Sequence, residues 1–184
     1  MDEMKSAWEI AQQRVERLGK LSSEEREQQE RERYRQIGQA LAQKWLDSPR
    51  RPDTTADLGE QEAKGRDVIR RAAVVHLAES IDLTAAGAVD RAGRAIDVIS
   101  SLAPELQRRI DELAGLVQEH EEAERRLRQE VEGECREALH RMRISGTAVG
   151  DINVEASRQW QTARSELAGA YSARLDDARR KMMG

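Results

Sequence analysis

The side chains with the most chemical potential are few. There are three histidines, His76, His120 and His140, and one cysteine, Cys135. Glu137 and His140 form one Glu-x-x-His, the spacing that turns a carboxylate and an imidazole to one helix face for a bridged metal pair. A di-iron bundle needs a second such motif and glutamates from two further helices. At that spacing Val117 precedes His120 and Ala73 precedes His76, so the second motif is missing and no metal is expected. Cys135 and His140 lie five positions apart, off a common helix face, and no residue marks itself as the orienting group of a thiol–histidine nucleophile. Cys135 falls on an apolar helix face, where a buried, inert thiol is expected. His76 is expected to pack in an apolar stretch and His120 to be solvated. Gly146 to Gly150 make a glycine-bearing turn before a helix, a setting in which phosphates bind. A P-loop would continue with Lys and Ser or Thr, whereas Asp151 and Ile152 follow here and the Asp carboxylate repels phosphate. No catalytic or cofactor-binding residue is assigned, and the chain is read as non-enzymatic.

The element that must position any site is the stretch Pro104 to Arg143. It lacks proline after its first residue, and only Gly115 and Gly133 interrupt good helix formers. As one helix of about 40 residues it would span roughly 60 Å. Leu102, Leu106, Ile110, Leu113 and Val117 step by threes and fours along one face. The stripe fails from Gln118 to Arg126, where Ala123 is the lone apolar residue, and resumes at Leu127, Val131, Cys135, Leu139 and Met142. Each half is therefore expected to serve a different neighbour, with the polar middle crossing solvent or a thin contact. Glu121–Arg125, Glu122–Arg126 and Glu132–Arg136 have the acid-first i, i+4 order that supports an exposed helix. The heptads are too broken to define a coiled coil, although a dimer seam along this strut is an alternative.

Around the strut, Ser6 and Glu9 form a capping box before a short stripe of Trp8, Ala11, Val15 and Leu18. A helix this short needs a surface, its own body or a partner's groove. Ser22 and Glu25 form a second capping box, opening a helix over 23–46 whose first turns carry no apolar residue. Two prolines and turn-forming residues make Asp47 to Asp57 the clearest linker. A central helix is expected over 58–81, then one capped by Thr84 running to about Ser100. A last helix over 154–182, with Trp160, Ala163, Leu167, Ala170 or Tyr171, and Leu175 on one face, should fold back along the second half of the strut. Trp45 and Trp160 are expected in the core. Trp8, Val15 and Leu18, and the loop residues Val149 and Ile152, are the candidate partner-binding residues.

Composition agrees with this reading. Of 184 residues, 36% are charged and 3% aromatic, with no Phe, as in the long-helix class. The net charge of −4, with arginine interleaved with glutamate, argues against a nucleic-acid binder. Neither a signal peptide nor a membrane span is visible, so a cytoplasmic location is expected. The fold class is all-α: about five helices, as an elongated bundle with one long central helix over 104–143 and a C-terminal antiparallel hairpin. Residues 1–50 would form an N-terminal helical arm, 51–57 a linker and 58–184 the body. The functional expectation is a helical interaction protein (adaptor, scaffold or assembly factor) with a protein partner, and self-association as an option. The alternatives are a co-chaperone or exchange-factor-like coiled-coil dimer, and a metal- or small-ligand-binding bundle.

Overall fold

The computed structural model describes residues 22–48, 50–84, 87–144 and 152–183. Among them there are six α-helices, three short 3-10 turns and no strand, so the protein is all-α. No helix among the described residues is long and apolar enough to cross a membrane. The helices are α1 (Ser23–Asp47), α2 (Thr54–Gly59), α3 (Arg66–Glu79), α4 (Ala88–Leu102), α5 (Gln107–Arg141) and α6 (Arg158–Met183).

The capping box that opens α1 is formed: Glu25 N–H donates to Ser22 Oγ at 3.1 Å, and Ser22 N–H to Glu25 Oε2 at 2.7 Å. Ser23 to Arg33 are exposed on every side, as a helix turn without apolar residues must be. From Tyr34 onward the helix buries a face, and it does so against α3. Gly38 is the point of closest approach. A Cβ built there would lie 2.8 Å from Ala72 Cβ and 3.1 Å from Ala73 N, and closer still to the Ile69 carbonyl oxygen. Tyr34 lies over Gly65, whose built Cβ would come within 2.6 Å of the ring. These two contacts, 34 to 65 and 38 to 69–73, set α1 and α3 parallel.

Parallel helices require the chain to return between them, and residues 48–65 make that return. The stretch expected as a linker, 51–57, carries the start of a short helix, α2. Asp53 caps α2 by accepting from Ala56 N–H at 3.0 Å, and Thr54 is buried. Asp57 accepts from Lys44 Nζ at 2.7 Å and from Trp45 Nε1 at 2.6 Å, tying α2 to the end of α1. α1 consequently shares one core with α3 and α4, through Ala42, Trp45 and Leu46. The single helix expected over 58–81 is likewise two pieces. Gly59 and Gly65 lie at the break, and the Arg66 guanidinium donates to the Gly59 and Gln61 carbonyls, satisfying the end of α2.

α4 begins at Ala88, later than Thr84. The Thr84 N–H and hydroxyl both donate to Asp82 Oδ1, at 2.8 and 2.7 Å. That is an Asx turn and not a helix cap. Gly87 stands before the helix at φ 71°, a conformation open to glycine at little cost. α4 buries Ala88, Ala92, Ala95, Ile99 and Leu102, a small-residue stripe that admits close helix contact. Pro104 then opens a 3-10 turn that leads into α5.

α5 is unbroken for 35 residues, roughly 53 Å. All three acid-first pairs on its surface form, at 3.0, 3.3 and 2.6 Å. Its two apolar segments enter two separate clusters. Ile110, Leu113, Leu116 and Val117 join the main core. Leu127, Val131 and Cys135 join a smaller cluster with Ile152, Val154 and Trp160. α6 returns antiparallel along α5, and Leu175 and Met182 reach back into the main core.

The close approach at Gly38 yields a test. Gly38→Ala is expected to destabilise the protein by about 1–3 kcal/mol, because backbone atoms of α3 must move. Gly133→Ala, on an α5 position with nothing near, should stabilise it by roughly 0.5–1 kcal/mol. Urea denaturation of the two variants reads the contrast; equal effects would mean that the α1–α3 contact is looser than described.

Candidate functional site

The far end of the α5–α6 hairpin is the place where exposed apolar surface and a fixed backbone coincide. Three local devices build it. Asn153 accepts from Ala156 N–H at 3.3 Å and shapes a 3-10 turn at Val154–Ala156. Ser157 Oγ accepts from Trp160 N–H at 3.1 Å and caps α6. α5 ends in a Schellman arrangement: Arg143 N–H donates to the His140 carbonyl at 2.9 Å and Ile144 N–H to the Leu139 carbonyl at 3.0 Å. α5 thus ends at Arg141, close to the expected Arg143, and Arg143 itself takes φ 61°. A left-handed arginine is uncommon and carries a steric cost.

Trp160, Val154 and Val131 fill the small cluster beneath this end. Across it Gln159 hydrogen-bonds Glu134, and Arg128 pairs with Glu155 at 3.4 Å. Beyond the cluster the stripe runs into solvent: Leu139 is half-buried, Met142 is 61% exposed and Ile144 42%. Of the expected partner-binding residues, Ile152 is half-buried and packs on the small cluster beneath this end. Trp8, Val15, Leu18 and Val149 lie outside the described residues. Met142 was placed on the apolar stripe of the strut without being singled out.

The middle of α5 corrects one expectation. His120 is not solvated; it is 1% exposed. Its ring stands edge-on to Tyr171 of α6, with centroids 5.2 Å apart, and the Arg174 guanidinium lies 5.3 Å from the same Tyr171 ring. Glu124 and Arg164 pair beside it at 2.6 Å, both partly buried. Glu119 and Arg174 close the seam on the other side at 2.7 Å. Neither ring nitrogen of His120 has a hydrogen-bond partner among the described residues. Burial pushes the His120 pKa below the ordinary histidine value; Glu124 opposes this and Arg164 adds to it. The polar run 118–126 is therefore a seam of α6, sealed by one histidine and by ion pairs where apolar side chains are missing.

The remaining chemistry-bearing residues do not converge. Glu137 and His140 share an exposed face, and no three His, Cys, Asp or Glu side chains gather for a metal among the described residues. Cys135 is half-buried at the margin of the small cluster. His76 is half-buried on α3. Trp45 and Trp160 are both buried, as expected of core anchors. An open groove of about 990 Å³ runs between the start of α4 and the α5–α6 pair. It carries both charge signs, with Asp90, Glu121 and Glu155 against Arg125 and Arg128.

The geometry defines an all-α protein whose long hairpin presents an apolar end. Comparison with protein families, with curated proteins and with solved structures finds no match to this chain.

The His120 seam has a definite pH signature. A folded-state pKa below that of the unfolded chain (about 6.5) means that the stability is complete above that value and falls as pH drops through the folded pKa. Unfolding free energy should therefore decline from about pH 7 toward pH 5, and His120→Phe should flatten that decline. The same variant removes two unpartnered nitrogens and keeps an aromatic edge against Tyr171, so it should gain about 1 kcal/mol at pH 7. A slope that His120→Phe leaves unchanged would assign the pH dependence elsewhere.

Proposed function

We propose that this protein is a non-enzymatic helical interaction protein, an adaptor, scaffold or assembly factor, which engages its partner through the free end of the α5–α6 hairpin. The observation that carries the reading is the pair Met142 and Ile144. They are the exposed large hydrophobic side chains among the described residues, and they follow the last turn of α5, where the Arg143 and Ile144 N–H groups are hydrogen-bonded back to the helix. A backbone already tied down lowers the ordering cost of binding. Arg141 and Arg143 flank Met142 and make no ion pair with a described residue. The fitting partner is thus a protein surface with an apolar patch and an acidic rim.

The coiled-coil dimer alternative draws less support. Its seam would need the apolar stripe of α5, and Ile110, Leu113, Val117 and Val131 are already buried inside the chain.

The test is site-specific photo-cross-linking in the cells that make the protein. A cross-linker at position 142 or 144 should give one discrete protein adduct, and the same group at the exposed Arg26 on α1 should not. With the captured partner in hand, Met142→Asp with Ile144→Asp should weaken binding by about 10- to 100-fold, since full burial of such a side chain is worth about 1.5–3 kcal/mol and each has only about half of its surface left to bury. The melting temperature should not change, because both side chains are already exposed. Adducts that are equal at all positions, or absent from 142 and 144, would remove the hairpin end as the docking surface.

A further inference from the structure

The return segment between α1 and α3 encloses a second feature, distant in the fold from the hairpin end. A cavity of about 210 Å³ lies between Ser48, Arg50, Arg51, Pro52 and Thr54 on one side and one face of α4 on the other. Its inner wall is apolar, formed by the buried Trp45 and Val98. Its mouth carries Arg50 and Arg51 from the return segment and Arg94 from α4. Arg94, Asp97, Val98 and Ser101 all line it; they follow the i, i+3, i+4, i+7 pattern, so one helix face is committed to it.

The charge balance is unusual for this chain. The full sequence has a net charge of −4, and most guanidinium groups on α5 and α6 pair with a carboxylate. At this cavity three arginines meet one acid, Asp97. None of the three forms an ion pair with a described residue. Arg94 does reach the last turn of α1, where Nη1 donates to the Leu46 carbonyl at 3.5 Å. That long contact leaves most of its five donors unused. Among the lining residues three guanidiniums are set against one carboxylate, a local surplus of two positive charges; Asp47, Asp53 and Asp57, with Lys44, line the adjoining pocket on the other side of Trp45 and Pro52.

We propose that this cavity binds a phosphomonoester, a phosphate dianion carried on a small apolar body. A phosphomonoester carries about −1.5 to −2 charge at neutral pH, which matches the surplus. Its three terminal oxygens accept the forked donors of several guanidiniums at once, where a carboxylate offers two. The apolar body fills the wall of Trp45 and Val98, and water is displaced from both. Fixing Trp45 is part of the design: its Nε1 is held by Asp57 at 2.6 Å, so the indole is a rigid back wall.

The experiment is a ¹H–¹⁵N titration of the full chain with phenyl phosphate, at constant ionic strength set with sodium chloride. The Trp45 indole N–H signal should shift saturably, with Kd about 1 mM or tighter, while that of Trp160 stays in place. Arg50→Gln with Arg51→Gln should weaken binding by about tenfold or more at unchanged melting temperature, since both side chains are exposed; Arg94→Gln should do the same. Arg71→Gln, on an exposed position of α3 away from the cavity, should leave the affinity intact. Inorganic phosphate should bind at least about tenfold more weakly than phenyl phosphate, for want of the apolar body. Absence of a saturable shift up to about 20 mM would overturn the site. So would an Arg71→Gln effect equal to that of the cavity arginines. Equal affinity for inorganic phosphate would overturn the ligand class. None of these outcomes bears on the hairpin end, whose test reads a protein adduct.

Discussion

The structure depends on a shortage. With 3% aromatic residues and no Phe, burial per residue is small, and cohesion must come from contact density. Dispersion weakens steeply over gaps of less than an ångström, so alanine-faced helices hold together only if their backbones come close. Gly38 on α1 against Ala72 and Ala73 on α3, and the alanine stripe of α4, meet that condition. Three of the few large rings lie where helices meet connectors. Tyr34 sits at the start of α3, Trp45 at the end of α1 and Trp160 at the start of α6. Two of them also use their polar tip: the Tyr34 hydroxyl donates to Glu62 at 2.8 Å, and the Trp45 indole donates to Asp57. These bonds fix the return segment, so the scarce aromatics also set the path of the chain between parallel helices. The Asp57 carboxyl is held below the usual range first by Lys44 and then by Trp45, a sign that this fastening favours the ionised form.

α5 converts that compact core into a longer object. It leaves the core near Val117 and reaches the second cluster at Leu127, and between them apolar contact is replaced by His120 against Tyr171 and by the Glu124–Arg164 pair. Local opening free energy follows the number of buried apolar contacts. The hairpin end, resting on Val131, Val154 and Trp160, must therefore open at lower cost than the body.

Much of this was legible in the residues, and the exceptions have physical causes. The unbroken strut, its stripe in two halves, the α1 capping box and the acid-first pairs all rest on local spacing, and local spacing is what a sequence displays. Gly38 carried no visible signal, because a glycine inside a helix pattern shows its role only once a second helix crosses it. Thr84 reads as a cap until Asp82, two residues earlier, takes its N–H. The split near Gly59 and Gly65 was foreshadowed by those glycines, but the decisive contact is Tyr34, about thirty residues away. His120 was misplaced for the opposite reason: its neighbours in sequence are charged, while its neighbours in space are Tyr171 and a closed ion pair. At the hairpin end, Met142 and Ile144 stand out only by the absence of a covering helix, which spacing cannot report.

Charge was the hardest property to interpret from composition. Arginine interleaved with glutamate reads as a solvated surface, and along α5 it is one: pairs that are half-exposed or more, each contributing up to about 1 kcal/mol. Such pairs keep the helix wet and do little to hold the fold. The informative arginines are those whose acid is missing. Along Ser23 to Arg33 they still lie among glutamates. At Arg141 and Arg143, and at Arg50, Arg51 and Arg94, they lie beside apolar surface and form no ion pair with a described residue. A guanidinium next to a hydrophobic wall is less hydrated than one in open solvent, and so it gains more from a partner that brings both an anion and an apolar group. The even charge pattern of the chain thus conceals two positions where attraction and burial point the same way.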